Sequence, residues 1–275
     1  MRVAGTHVLL TGATGDIGRR LAVHLAGAGG RITLVARGRE ALEGLAAEVG
    51  GNAVSADLTD RAALRGLLPE VEAAAGPVDV LVNNAGTDTA GHLADLTAEE
   101  LEQIIALNLL APLELCRQVL PGMLHRRRGH LVNISSLSGV ATFPGLAAYG
   151  ATKAGLTHAT SGLRADLRDE PVGTLAVEIG PVTSDMMGRI GGHAPAAAAF
   201  DRLLRARLLT MLDPDHVAQR VVGAIEDDRT HLRMPRRALP IAAVTHLPRA
   251  VVHTVRTGIP ARGGTGSRRS GRVGT

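Results

Sequence analysis

Short apolar segments alternate with amphipathic helical segments along most of the chain, beginning with a strand pattern at 7–10 and a helix pattern at 15–28. The segment 78–82 is almost continuously apolar, as expected for a strand buried on both faces of a sheet. Such an alternation favours parallel strands joined by helical crossovers. The sequence therefore predicts an α/β protein with helices on both faces of a parallel sheet.

The remaining elements follow the same alternation. Predicted strands cover 32–35, 53–56, 130–134, 174–179 and 231–234, and predicted helices cover 39–49, 61–75, 98–124, 147–168 and 214–225. Thr97 and Glu100 have the spacing of a capping box at the start of the helix over 98–124. Residues 186–212 interrupt the alternation with glycines, a proline and a run of alanines, and we interpret them as an insertion that lines a pocket.

Composition limits the possible classes of protein. A chain of 275 residues is long enough to bury a substantial core in one domain. Only 1% of the residues are aromatic, which argues against a site where nucleic-acid bases stack, and no metal site is expected. The single cysteine, Cys116, excludes an internal disulfide, and with no recognisable secretory signal it favours a cytoplasmic location.

A glycine-rich turn, T-G-A-T-G-D-I-G, joins the first predicted strand to the first predicted helix. Gly12, Gly15 and Gly18 would let the backbone approach a pyrophosphate, which would lie at the amino terminus of that helix. This position favours a dinucleotide site over a purely structural turn. Asp16 lies in the same turn, and its carboxylate would repel a pyrophosphate unless it pointed away.

The end of the second predicted strand distinguishes between NADP and NAD. It carries no carboxylate to hold a ribose hydroxyl, whereas Arg37 and Arg39 are placed to bind a 2′-phosphate. This pattern favours NADP(H), and a merely solvated Arg37 is the alternative. Asp57, after the third predicted strand, would either contact the adenine amino group or cap the next helix.

The only tyrosine and the only lysine of the chain, Tyr149 and Lys153, are separated by one helical turn. Residues at i and i+4 share one helix face, and a nearby ammonium favours the ionised form of a phenol. A tyrosine with its pKa lowered in this way can exchange a proton with a substrate oxygen near neutral pH. Taken alone, however, such a pair more often belongs to an ordinary surface helix.

Further motifs follow in order: Asn83-Asn84-Ala85-Gly86, Asn108, the run N-I-S-S ending at Ser136, and G-P-V-T-S from Gly180. Together with the glycine-rich turn, Asp57 and the Tyr149/Lys153 pair, they resemble the single-domain branch of the short-chain dehydrogenase/reductase family. The resemblance covers about residues 3–234. It implies a Rossmann-type doubly wound parallel sheet and NADP-dependent hydride transfer between nicotinamide C4 and a carbonyl or alcohol carbon.

The resemblance also implies roles for individual residues. Tyr149 would be the general acid/base, Lys153 would lower its pKa and bind the nicotinamide ribose, and Ser136 would orient the substrate oxygen. Asn108 would hold a water in a proton relay, although a purely structural asparagine is the alternative. Asn83 would lie beside the adenosine ribose. The residues expected to contact the cofactor are Gly12, Thr14, Gly15, Asp16, Ile17, Gly18, Arg37, Asp57, Leu58, Asn84, Ala85, Gly86, Tyr149, Lys153, Pro181, Val182 and Ser184.

These observations predict a catalytic domain over 1–235 and a basic extension over 236–275, which is either partly disordered or in weak contact with a membrane surface. The expected substrate is a small apolar carbonyl compound or alcohol. By analogy with relatives, the protein would form a homodimer or homotetramer through the helices that bear Asn108 and Tyr149. Two alternatives stay open: an NADP-binding regulator without turnover, and an epimerase or dehydratase, which the glycine spacing also fits.

Overall fold

The computed structural model describes residues 1–235, so the predicted basic extension over 236–275 lies outside the described residues. The described part contains seven strands: β1 (His7–Thr11), β2 (Arg31–Ala36), β3 (Asn52–Ser55), β4 (Val80–Asn83), β5 (Gly129–Ser136), β6 (Val172–Ile179) and β7 (His231–Met234). They form one parallel sheet in the order β3-β2-β1-β4-β5-β6-β7. The order reverses between β1 and β4, where open α/β sheets form a crevice at the carboxyl ends of their strands.

Helices cover both faces of this sheet. They are α1 (Asp16–Gly27), α2 (Arg39–Val49), α3 (Arg61–Ala75), α4 (Ala98–Ile105), α5 (Ala111–His125), α6 (Ala147–Asp166), α7 (Asp185–Gly191), α8 (Ala194–Arg205) and α9 (Pro214–Glu226). Apart from the helix predicted over 98–124, every predicted strand and helix is present within a few residues of its predicted bounds. The predicted Rossmann-type doubly wound α/β fold is confirmed.

Successive residues of the central strand β1 supply both halves of the core. Val8 and Leu10 pack with α1, α2 and α9, whereas Leu9 packs with α3 and α5. Side chains of a strand alternate between faces, so a strand covered on both sides has to be apolar throughout. This is the physical reason why the apolar runs of the sequence locate the buried strands.

The structure differs from the prediction over 98–124. The predicted single helix is divided into α4 and α5 by a π-helical turn at Ala106–Leu110. The predicted capping box is confirmed, because the Thr97 hydroxyl accepts a hydrogen bond from Glu100 N at 3.2 Å and the Glu100 carboxylate accepts one from Thr97 N at 2.9 Å. Ala98–His125 has the length and mean hydropathy of a membrane span, but here α5 buries one face against the sheet as a core helix.

Candidate active site

The glycine-rich turn leaves β1 at the carboxyl edge of the sheet and enters α1. At Gly12, which has a φ of +65°, a Cβ would lie 2.6 Å from Ala85 Cα, and at Gly18 a Cβ would collide with the Gly12 carbonyl. Neither position can therefore accept a larger residue without moving backbone. These two glycines bring the turn after β1 against the turn after β4.

Asn84 fastens the two turns together. Its Nδ2 donates hydrogen bonds of 3.1 Å to both Thr11 O and Gly12 O, while the Thr11 hydroxyl accepts from Asn84 N and Ala85 N at 3.1 Å. Such a network makes the opening between β1 and β4 rigid without filling it.

A groove runs from this opening to the ends of β2 and β3. Most residues predicted to contact a cofactor line it: Gly12, Thr14, Gly15, Asp16, Ile17, Gly18, Arg37, Asp57, Leu58, Asn84, Ala85, Gly86 and Ser184. The sequence reading missed Leu107 and Arg189, which also line it.

Two predictions are wrong. Arg39 lies outside the groove on α2 and pairs with Glu43 at 3.5 Å. Asn83 points beneath the sheet, where its Nδ2 donates to Asn133 Oδ1 at 2.8 Å.

Asp57 lines the same groove as Arg37 and lies close enough to interact with its charge. Its carboxylate accepts hydrogen bonds from the Thr59 backbone N at 2.9 Å and the Thr59 hydroxyl at 2.7 Å, and these bonds, helped by the Arg37 guanidinium, lower the pKa of Asp57. The alternative that Asp57 caps the next helix is wrong, because the N-cap of α3 is Asp60. Arg37 follows the end of β2 directly and is exposed on the wall of the groove.

A smaller cavity adjoins the groove and contains Ser136, Tyr149 and Lys153, with Pro181 and Val182 on its wall. Ser136 ends β5, and the other two lie one turn apart on α6. Ser136 Oγ accepts a hydrogen bond from Ser138 N at 3.1 Å and is also hydrogen bonded to Tyr149. Ser136, Tyr149 and Lys153 are therefore brought together by two elements, β5 and α6, which pack directly against each other.

The expected electrostatic effect of Lys153 on Tyr149 is not found. Lys153 Nζ donates to Ile134 O at 3.0 Å and lies 5.9 Å from the centre of the Tyr149 ring. The pKa of Tyr149 is raised to about 12, chiefly by burial and in smaller part by the Asp88 carboxylate, while the hydrogen bond with Ser136 opposes both. Burial also lowers the pKa of Lys153 to about 8. Desolvation outweighs the pair interaction because both groups are enclosed.

Asn108 does not line the cavity. It is fully buried in the π-helical turn, where its Oδ1 accepts from Thr87 N and its Nδ2 donates to Thr87 O, both at 2.8 Å, and to the Thr152 hydroxyl at 3.2 Å. The side chain therefore holds the segment after β4 against α6. It lies behind Gly86, where a Cβ would approach both Asn108 Oδ1 at 3.3 Å and Lys153 Nζ at 3.4 Å. Its role in a proton relay stays a prediction.

The insertion over 186–212 covers the cavity with apolar side chains. Met186, Met187, Ile190, Phe200 and Leu209 line it, and Phe143 from the segment after β5 stacks on Phe200 with ring centres 4.7 Å apart. The sequence reading identified the segment but missed both phenylalanines. Nothing in their local pattern separates them from ordinary core residues, since their partners are distant in sequence.

Comparison with known proteins identifies the arrangement. The sequence model described as short chain dehydrogenase matches residues 6–194, which include the glycine-rich turn, Ser136, Tyr149 and Lys153. The chain belongs to the short-chain dehydrogenase/reductase family. As a member of this family it is an oxidoreductase, and the family resemblance seen in the sequence is confirmed.

Relatives and solved structures agree with this assignment. An uncharacterized short-chain type dehydrogenase/reductase of Sinorhizobium fredii is 37% identical over 79% of this chain and 84% of its own length. A ketoacyl reductase of Nostoc is 33% identical over 84% of this chain and 78% of its own length. The structure of a short-chain dehydrogenase from Sphingobium yanoikuyae in complex with NADPH superimposes with a TM-score of 0.75 at 27% identity, covering 92% of this chain and 97% of that one.

Proposed function

We propose that this chain is an NADP(H)-dependent reductase that converts an apolar ketone or aldehyde to an alcohol. The observation that carries the proposal is the continuity of the two openings. The residues that line both the groove and the cavity are Ile17, Asn84, Gly86, Ser184 and Met186. A ligand that occupied the groove would reach Tyr149 and Ser136 at its inner end.

The groove fits a dinucleotide. The positions that cannot carry a Cβ, Gly12 and Gly18, form a bare backbone cradle at the amino terminus of α1, where a pyrophosphate is stabilised by backbone N–H groups. Arg37 lies at the far end with no acidic residue beside it on the strand, which suits the 2′-phosphate of NADP. The complex of the Sphingobium relative with NADPH supports the same choice.

The side chains of the cavity suit proton donation. When bound, NADPH supplies a hydride to the carbonyl carbon. Tyr149 holds its proton at neutral pH because its pKa is raised to about 12, chiefly by burial. It can therefore pass that proton to the carbonyl oxygen of the substrate as negative charge develops on that oxygen. Ser136, hydrogen bonded to Tyr149, would orient the same oxygen. Lys153, whose pKa is lowered to about 8 by burial, is still mostly protonated at neutral pH and would bind the nicotinamide ribose.

The lining of the cavity indicates the substrate class. Apart from Ser136, Ser138, Tyr149 and Lys153, the side chains around it are mostly aliphatic, thioether or aromatic. A carboxylate or phosphate on the substrate would lose its hydration there without gaining a cationic partner beyond Lys153. A neutral apolar carbonyl compound meets no such cost.

Two substitutions test the proposal. Tyr149→Phe removes the transferable proton and is expected to lower NADPH-dependent ketone or aldehyde reduction by about 100-fold or more, with the NADPH dissociation constant nearly unchanged. Arg37→Ala is expected to weaken NADPH binding by about tenfold and to leave NADH binding unaffected. Arg39→Ala is the matched control, since Arg39 lies outside the groove.

Consumption of NADPH is measured against a panel of ketones and aldehydes. Retained turnover in Tyr149→Phe would remove Tyr149 from the mechanism. NADPH binding without oxidation of the cofactor by any carbonyl compound would favour a regulator, and product formation without net NADPH consumption would favour an epimerase or dehydratase.

We also propose that the protein forms a homodimer or homotetramer through two helical segments, the first formed by α4, the π-helical turn and α5, and the second by α6. Leu101, Ile105 and Leu110 are exposed along the first of these helices. Light scattering after size-exclusion chromatography tests this assembly, and a monomer at micromolar concentration contradicts it.

A further inference from the structure

The short helix α7 forms a wall shared by the groove and the cavity. Asp185 and Arg189 border the groove, Met187 and Ile190 border the cavity, and Met186 borders both. A ligand in the groove is therefore covered by α7 on one side.

Little in α7 itself determines where it lies. It has seven residues, includes Gly188 and ends at Gly191, and helices of this length with glycine have almost no intrinsic stability. Its hydroxyl cap, Ser184, accepts a hydrogen bond from Met187 N within the same segment. Its position over the groove consequently depends on contacts with other elements.

One such contact joins α7 to the segment after β4. Asp88 Oδ1 accepts hydrogen bonds from Arg189 Nη2 at 2.8 Å and Arg189 Nε at 3.1 Å. The Asp88 side chain is 2% exposed, whereas Arg189 is 58% exposed. Among residues 1–235, Arg189 is the only ion-pair partner of Asp88. A buried carboxylate is costly unless it is paired, so the pair favours the position in which α7 lies against this segment.

A second contact comes from the start of α1, which borders the groove. Asp16, the first residue of α1, accepts a hydrogen bond from Asp185 N at 3.1 Å through its Oδ2. A carboxylate at the amino terminus of α7 also interacts favourably with the unpaired N–H groups there. The charge of Asp16 is thus directed to α7, which explains how it is tolerated within the glycine-rich turn.

We propose that Asp88 and Asp16 are positioning residues that clasp α7 over the dinucleotide groove, Asp88 through Arg189 and Asp16 through the amino terminus of α7. The identity of the covered ligand rests on the proposed function. The clasp itself is a property of the folded chain. A dinucleotide leaves the groove when these contacts open, so the clasp limits cofactor release.

The Asp88 side of the clasp is also linked to the chemistry. Asp88 lies close enough to Tyr149 for its negative charge to raise the pKa of that phenol, and Arg189 compensates part of this charge. Arg189→Ala leaves the buried carboxylate uncompensated, whereas Asp88→Asn removes the charge and keeps the shape. Arg189→Ala should therefore lower NADPH-dependent turnover more than Asp88→Asn does. The double variant Arg189→Ala/Asp88→Asn should recover part of the turnover that Arg189→Ala loses.

Hydrogen–deuterium exchange of the ligand-free protein tests the clasp directly. We expect the backbone amides of 184–192 to exchange about threefold faster or more in Arg189→Ala, Asp88→Asn and Asp16→Ala than in the wild type. Arg205→Ala, a substitution of an exposed arginine of the next helix α8, is the control and should exchange at the wild-type rate. Equal exchange over 184–192 in the wild type and all three variants overturns the proposal.

Stopped-flow release of NADPH gives the second readout. The chain has no tryptophan, so the fluorescence of the bound nucleotide is followed against little background. We expect release about tenfold faster in Arg189→Ala, a higher KM, and a smaller change in kcat, because Ser136, Tyr149 and Lys153 lie outside α7. Wild-type protein that fails to bind NADPH contradicts the proposed function, while the exchange experiment still decides whether the clasp exists. Unchanged release in all variants contradicts the clasp alone.

Discussion

Replacing Lys153 by Met measures how strongly burial acts on the ammonium of the active site. Lys153 is 5% exposed, and burial lowers its pKa from 10.5 to about 8. In the unfolded chain the same group keeps its proton up to its ordinary pKa. Between pH 8 and 10.5 the unfolded chain therefore binds more protons than the folded protein, and stability rises with pH through that window.

The shift sets the size of the effect. Keeping the ammonium charged inside the protein at pH 7 costs about 3 kcal/mol, and by pH 9, where the folded amine has lost most of its proton, the cost falls to about 2 kcal/mol. Lys153→Met removes the titrating group. The difference in unfolding free energy between variant and wild type should therefore fall by about 1 kcal/mol from pH 7 to pH 9. Losing the hydrogen bond to Ile134 O changes stability similarly at both pH values and cancels.

Urea unfolding followed by far-ultraviolet circular dichroism measures this difference, since the chain has no tryptophan and a single tyrosine to report by fluorescence. The raised pKa of Tyr149 affects stability only above pH 10, outside the window measured. Arg164→Met on the exposed end of α6 is the control, because a guanidinium stays charged throughout. A difference for Lys153→Met that is constant between pH 7 and pH 9 would refute the reasoning.

Two further predictions follow from other buried positions. Gly18→Ala places a Cβ against the Gly12 carbonyl and should cost about 1–3 kcal/mol, which thermal unfolding would detect as a lower midpoint; an unchanged midpoint would show that the turn can relax. Cys116 is buried and its pKa is raised to about 12, so Ellman's reagent should not modify the folded protein but should modify one thiol after denaturation. Rapid modification of the native protein would contradict its placement in the core.

Local pattern was sufficient wherever one segment of chain makes the feature by itself. The glycine positions before α1, the apolar strands and the Thr97 cap are each determined by neighbouring residues, and the structure has them where the sequence indicated. The same reasoning was wrong for Arg39 and Asn83. Both residue types suit the predicted role, but Arg39 points away with α2 and Asn83 points below the sheet. The direction in which a side chain points depends on the register of its strand and on how its helix packs against the sheet.

The order of apolar and glycine-rich segments determined the parallel sheet, the crevice at its carboxyl edge and the family, because these depend on periodicity and on turns made within short stretches. Only the tertiary structure decided the pKa values in the active site and the position of α7 over the groove. Whether Lys153 lowers the pKa of Tyr149, or burial raises it, depends on how much water the surrounding elements exclude. The pairing of Asp88 with Arg189, 101 residues apart, likewise arises only when α7 folds back over the groove.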